Sequence, residues 1–530
     1  MTPRRWWTLL LLLVVFTAAR VMTTHRVFSQ TSDEPHHVGS GYDFLTKGSF
    51  TLDPEHPPLA RVFFALPFLD TPDPGKSDPR EQGNALLNRN DRYTQNLGRA
   101  RPGNLVFLAL GIIAVALWAR HLFTPVIALL AALLYASLPP VLAHAGFATT
   151  DMAGAALFTL AMYTATRFLE QPTWKRTVLL GLVVAAGALA KFSFVIYFPA
   201  AVLVLVVARR RLPLVRALAA AALAFVLVWS VYGFSVGTMQ KVDEKAVKMA
   251  TDVFGSPRLA SVPIPAPQWA FGVLTVKNHD HHGHPAFLFD EKRWEGWWYY
   301  FPLALFFKTP IPFLLLTLAG CVLLARRKLE VVLIAAAILG VAMTSHINIG
   351  VRHVLPIYAP LAIAAAYAVA ELRRIRIASM ALIAWMLISV AAAHPDYLPW
   401  FNFAAGQHPE KILNDSNLDW GQDVLRLVRA RRELHIQDLT ISLFTTTDLD
   451  HLYGIPPYTI LQAESDVRGW LAISEMHVAL GRAYSPEVQK WLDERLEGRP
   501  YRRIGKSIRL YNLTSRSSAP APATAPASRP

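Results

Sequence analysis

The chain has one cysteine in 530 residues, Cys321. A lone thiol inside an apolar run excludes a disulfide framework and a cysteine metal cluster. Charge is scarce too, at 17% of residues, and acids are scarcer than bases: 37 Asp and Glu against 52 Lys and Arg, a net charge of +15. So thin a supply of charge does not cover a soluble enzyme. The basic excess does not indicate nucleic acid, because the basic residues cluster between apolar runs and form no soluble basic face. Internal repeats are also lacking.

What the chain has instead is apolar length. Hydrophobic residues make up 53% of it, with a mean hydropathy of +0.31. A first apolar run covers residues 6–22 behind Arg4 and Arg5, and is read as a retained helix. Others follow near 104–119, 122–143, 151–169, 177–190, 192–208, 214–233, 299–325, 329–345, 354–372 and 377–394. The expected fold class is a polytopic α-helical membrane protein of about eleven spans. Several runs fall near or below the roughly 20 residues a crossing needs, and the pair around Lys191 reads equally as one kinked or re-entrant unit. Arg4-Arg5, Arg120, Lys175-Arg176, Arg209–Arg211, Arg326–Lys328 and Arg373-Arg374-Arg376 fall on one side if the spans alternate. That side is cytoplasmic by the positive-inside rule. The N-terminus is then cytoplasmic, and the loops 25–101 and 234–298 and everything after His394 are periplasmic. Trp294, Trp297, Trp298, Tyr299 and Tyr300 read as an interfacial belt.

Past Pro395 the long apolar runs stop. Helices are expected at 420–433 and 486–496, with strands at 439–444, 470–474 and 507–511. The organisation is therefore a membrane domain over 1–394, a small periplasmic α/β domain over 395–514, and a disordered Ala/Pro-rich tail over 515–530.

Chemistry concentrates in charges that the apolar context makes costly. Asp33-Glu34 follows the first span, and a carboxylate close to a bilayer must be hydrated, paired or working. Its bland reading is a solvated loop pair. Gly39-Ser40-Gly41-Tyr42-Asp43 and Asp53-Pro54-Glu55-His56-Pro57-Pro58-Leu59 come next. Lys191 is a single lysine between two short apolar runs, and Arg352-His353 sits in Asn348–Pro356. Both lie on the outer side against the charge rule, and each is a phosphate contact or an interfacial anchor. Asp151 opens a span as an N-cap or a site acid. Arg99 and Arg101 precede the second span. Asn278–His284 holds four histidines in six residues. Lys308 either snorkels or approaches a phosphate. Asn414–Asp423 either caps the next helix through Ser416 or Asn417 or contacts carbohydrate around Trp420.

The Asp-Glu pair in the first outer loop, the Pro-Pro-Leu motif and the bundle of short spans resemble the C-type multispanning glycosyltransferases. Within them the chain is most similar to the branch of protein O-mannosyltransferases and lipid A aminoarabinose transferases. The resemblance covers about residues 1–400. It implies transfer of a sugar from a polyprenyl phosphate to an acceptor hydroxyl, with inversion, at the periplasmic face of the inner membrane. Asp33 would be the general base and Glu34 its support. Asp151, Lys191, Arg352, His353, His56 and Arg101 would contact substrate. The family also implies zinc, or another divalent metal such as magnesium, held by Glu55 with His284 or His282. His56 departs from the family's lysine at that position, which leaves a phosphate contact in doubt and adds a candidate ligand. The implied partners are the lipid-linked sugar, the bilayer, and a protein, lipid or glycan acceptor. The alternatives are a polymerase or ligase of lipid-linked glycans and a transporter or flippase of lipid-linked sugars.

Overall fold

The computed structural model describes residues 1–513 except 373, 375, 453, 456, 463–466, 468 and 482–485. The tail expected over 515–530, and Arg373 of the last basic cluster, lie outside the described residues.

Some helices begin where the sequence supplies a capping side chain. Thr2 accepts from Arg5 N ahead of Pro3 to open α1 (Pro3–Met22), and Thr124 accepts from Ile127 N ahead of Pro125 to open α7. The first loop then folds into α2 (Glu34–Lys47), α3 (Pro58–Ala65), α4 (Pro79–Asn88) and α5 (Tyr93–Ala100). The apolar helices continue with α6 (Leu105–Leu122), α7 (Pro125–Ala136), α8 (Pro139–Ala145), α9 (Asp151–Glu170), α10 (Trp174–Ala190), α11 (Ser193–Arg209) and α12 (Leu214–Val231). Helices at 267–282, 300–308, 311–324, 329–342, 358–371 and 376–392 follow.

Length and composition of the helices do not reach the expected eleven spans. Among the described residues, four helices are long and apolar enough to cross a membrane, or six if each of two bent pairs counts as one. Pro139-Pro140 breaks the run expected over 122–143, where α7 and α8 meet at 66°. Pro310 sits at the break of the run over 299–325, where the halves meet at 120°. Of the other apolar helices α9 has 20 residues, whereas those at 193–209, 329–342 and 376–392 reach only 14–17, about 21–26 Å at 1.5 Å per residue and short of a roughly 30 Å core. The aromatic belt is also split: Trp294 and Trp298 are exposed, whereas Trp297 and Tyr300 are buried.

Close approach positions the first loop. α2 packs on α3 and α4, and Gly83 lies so near the Pro35 backbone that any Cβ there would collide with it. The C-terminal part carries a five-stranded sheet in the order 459–460, 439–442, 470–474, 508–512, 502–504. The first three strands pair in parallel and the rest antiparallel. Strands expected at 439–444, 470–474 and 507–511 are present within a residue or two. The two edge strands, of two and three residues, were too short to read. One apolar core runs from the helices into this sheet, taking in Trp420, Leu427, Ile441 and Leu510.

Candidate functional site

Asp33 sits at the N-cap of α2, yet its carboxylate makes no cap hydrogen bond. It turns instead to Arg352, whose Nη1 donates to Oδ2 at 2.7 Å, and to Ser32, whose hydroxyl donates to Oδ1 at 3.1 Å. Burial pushes this carboxyl up. The Arg352 guanidinium outweighs that and holds it well below the usual carboxylate range.

Arg352 comes from a 3₁₀ turn at Val351–Ile357. Its Nη1 also lies 4.0 Å from Asp151 Oδ2, at the first residue of α9. Lys191, in the two-residue gap between α10 and α11, bonds the other Asp151 oxygen. Gly154, one turn into α9, clears the path, since a Cβ there would stand 3.0 Å from the Lys191 side chain. His144 Nδ1 is 3.9 Å from Asp151 Oδ2. Trp420 lies against Arg352, with the guanidinium carbon 4.3 Å from its ring centroid. Four charges from four distant segments thus form one chain: Asp33, Arg352, Asp151, Lys191. Beside it, Arg352 Nε, His353 Nε2 and His144 Nδ1 are buried and have no hydrogen-bond partner among the described residues.

Two expected site residues belong to a different structure. Arg101 has no exposed surface, and all five of its donors are used: on both Glu34 oxygens and on the carbonyls of His25, Phe28 and Ser29. It keeps nothing for a substrate. Glu34, equally buried, also accepts from Thr31 N and Ala148 N at 2.8 Å each. This pair braces the loop that presents Asp33. Lys308 is corrected too. Its ammonium is buried and donates to the carbonyls of Leu398, Trp400 and Asn417, at 2.7, 2.5 and 2.6 Å. Ser416 and Asn417 do not cap the next helix. They hold the segment before Arg352, through Ile349 O and Val351 N.

Among the described residues, Glu55 and His284 do not belong to a three-ligand cluster. The donor atoms that lie within 4.8 Å of one another are those of His37, Asp53 and His56. Burial, then Arg61, lowers His37 to about 3, and burial with His37 lowers His56 well below its usual value. Both rings are therefore neutral imidazoles. Two imidazoles and a carboxylate suit a zinc-like ion. Arg61 already ion-pairs with Asp53 and donates to His37 Nδ1, so an ion would share this carboxylate with it. Burial, then the Asp53 and Asp33 carboxylates, raises Glu55 to about 7. His284 sits at about 4, lowered by burial, then by His279 and Arg352.

His37, Asp53 and His144 were not singled out from sequence as site residues, and Trp420 was flagged only as the centre of a segment read as a helix cap or a carbohydrate contact. A polar ring in the apolar Pro139–Ala145 helix was the available signal for His144. Nothing local marked His37.

The fold is similar to that of the solved ArnT structures, and part of the chain matches a family model of protein mannosyltransferases. Residues 96–233 match the family described as dolichyl-phosphate-mannose-protein mannosyltransferase. That stretch includes Asp151 and Lys191 but neither Asp33 nor Arg352. Among solved structures, ArnT from Cupriavidus metallidurans in the apo state is 12% identical with a TM-score of 0.54, over 97% of this chain and 99% of that one. ArnT from the same organism bound to undecaprenyl phosphate is 12% identical with a TM-score of 0.52, over 96% and 98%. No curated protein matches the chain by sequence.

Proposed function

We propose that the chain is a membrane glycosyltransferase. It moves a sugar from a polyprenyl-phosphate donor to an acceptor hydroxyl, with inversion, at the periplasmic face of the inner membrane. The observation that carries this reading is the partly buried charge chain, with Arg352 Nε and His353 Nε2 unpartnered beside it. A phosphate is the anion that suits this cation set, because guanidinium and ammonium groups bind its oxygens through charge-assisted hydrogen bonds. The relative solved with undecaprenyl phosphate points to the same class of carrier.

Arg352 and Lys191 receive the phosphate, and Asp151 holds those two cations in place. The acceptor oxygen attacks the anomeric carbon and its proton passes to Asp33. The bond from that carbon to the phosphate oxygen breaks, and the electron pair leaves on the phosphate. A phosphate drawing on Arg352 loosens its hold on Asp33 and makes that carboxylate a better base. His353 and His56 line the approach. A divalent metal would be held by His37, Asp53 and His56, where it would add fixed positive charge to the loop carrying the base.

The test is transfer from labelled polyprenyl-phosphate sugars in membranes holding the wild type or Asp33→Asn. A fall of about 100-fold or more at equal protein level is the expected outcome. Undiminished transfer by the variant removes Asp33 from the reaction. Absence of transfer by the wild type from every donor sinks the reading as a whole.

A further inference from the structure

Two arginines of this region are held in different ways. Arg101 spends all five donors on oxygens, so hydrogen bonds fix its plane. Arg352 has Asp33 as its one carboxylate within hydrogen-bond distance among the described residues, and its Nε is buried without a partner. A bond at one tip leaves a guanidinium free to turn on its long side chain. What lies on its face is Trp420, with the guanidinium carbon 4.3 Å from the ring centroid. Stacking on an indole constrains the plane of a guanidinium and uses none of its N–H groups.

Trp420 is itself clamped, with 1% of its surface exposed. Its backbone N–H donates to Gln422 Oε1 at 2.8 Å, and the Gln422 amide donates to Leu418 O at 2.8 Å. Its carbonyl accepts from Ser32 N at 3.0 Å, one residue before Asp33. Its ring meets His144 edge to face, with centroids 5.9 Å apart, and meets Phe147 in the same way at 6.3 Å. One residue from the segment after Pro395 thus touches the loop carrying Asp33, the head of Arg352 and the stretch that leads into Asp151.

We propose that Trp420 is a positioning residue for the phosphate: its ring face sets the plane of the Arg352 guanidinium between Asp33 and Asp151 and leaves the Nε donor unspent for a phosphate oxygen. The inference rests on the glycosyltransferase reading in one respect, that Arg352 receives the phosphate. An arginine already ordered when the ligand arrives loses less freedom on binding, so the phosphate is held more tightly. A Trp that only filled the core would act whether or not Arg352 were present. A positioning Trp acts through Arg352 alone.

The experiment is a double-variant cycle, read by binding of undecaprenyl phosphate to the full-length protein in phosphatidylcholine nanodiscs. Tetrafluorotryptophan placed at position 420 alone keeps the indole's shape and withdraws the negative charge of its face, so it weakens the stacking without opening a cavity. It is expected to weaken binding about three- to tenfold. In the Arg352→Gln background, where Lys191 still meets the phosphate, the same replacement should change binding by less than about twofold. Trp420→Phe, which keeps an aromatic face, should retain most of the affinity that Trp420→Leu loses. Tetrafluorotryptophan at position 6 is the control. Trp6 stacks on Arg120 at the same 4.3 Å, at the opposite end of α6 from Asn104, which holds the His144 carbonyl, and fluorination there should leave binding unchanged. An equal loss in both Arg352 backgrounds, no loss with the fluorinated ring at 420, or no binding of undecaprenyl phosphate by the wild type would each overturn the proposal. The readout needs no sugar transfer, so a wild type that binds the lipid and transfers nothing fails the glycosyltransferase reading alone.

Discussion

Glu34 accepts four hydrogen bonds with no exposed surface, while Asp33, one residue earlier, keeps 27% of its side chain open beside Arg352. Two adjacent acids thus do different work, a division that only the resemblance implied. What sequence did offer was cost. Asp33, Asp151, Lys191 and Arg352 stood out because a lone charge in an apolar setting is expensive, and the fold brings those four together. Arg101, read as an interfacial anchor or a donor contact, was misplaced, because its partner lies 67 residues away and pairing at that range leaves no local mark. Arg101→Met should therefore act on folding. Glu34 would be left buried and unpaired, at a cost of about 3–5 kcal/mol, and Glu34→Gln added to it should restore part of the loss. The measurement is the thermal midpoint in detergent, and an unchanged midpoint for the single variant would contradict the bracing role.

Helices and strands were legible wherever periodicity or apolar length ran on for several turns. Their directions were not. Hydropathy counts residues and is blind to a bend, so the breaks at Pro139-Pro140 and Pro310 passed as continuous crossings. The Asn414–Asp423 segment was flagged for its polar density, but its work is done across the chain, on the turn that carries Arg352. One consequence belongs to this segment. Burial raises Asp419 to about 7 against the hydrogen bonds from Met476 N and Gly421 N, and raises Asp415 to about 6. The folded chain then keeps protons that the unfolded chain releases near pH 4. Stability contributed by these groups is full at low pH and falls as pH rises from about 4 to 7. Asp419→Asn cannot titrate and should flatten the fall. The readout is the slope of thermal midpoint against pH from 4 to 8, and an equal slope in the variant would place the titration elsewhere.

Over the whole molecule, the apolar core does not stop where the composition changes near Pro395. It continues through Trp420 and Leu427 to the inner face of the sheet. The ammonium of Lys308, on a helix of the membrane part, is the donor for three carbonyls of the following segment. Composition marks a boundary there because charge density rises, but cohesion across it depends on partners that composition does not show. Residues 395–513 made alone would be an orphan. Their sheet would present a bare apolar face, and three carbonyls would have to find water in place of one cation. Such a fragment should melt broadly in calorimetry and give poorly dispersed NMR spectra, and a sharp cooperative transition would refute this. Swapping this region between relatives to exchange specificity should then fail unless the helix carrying Lys308 travels with it.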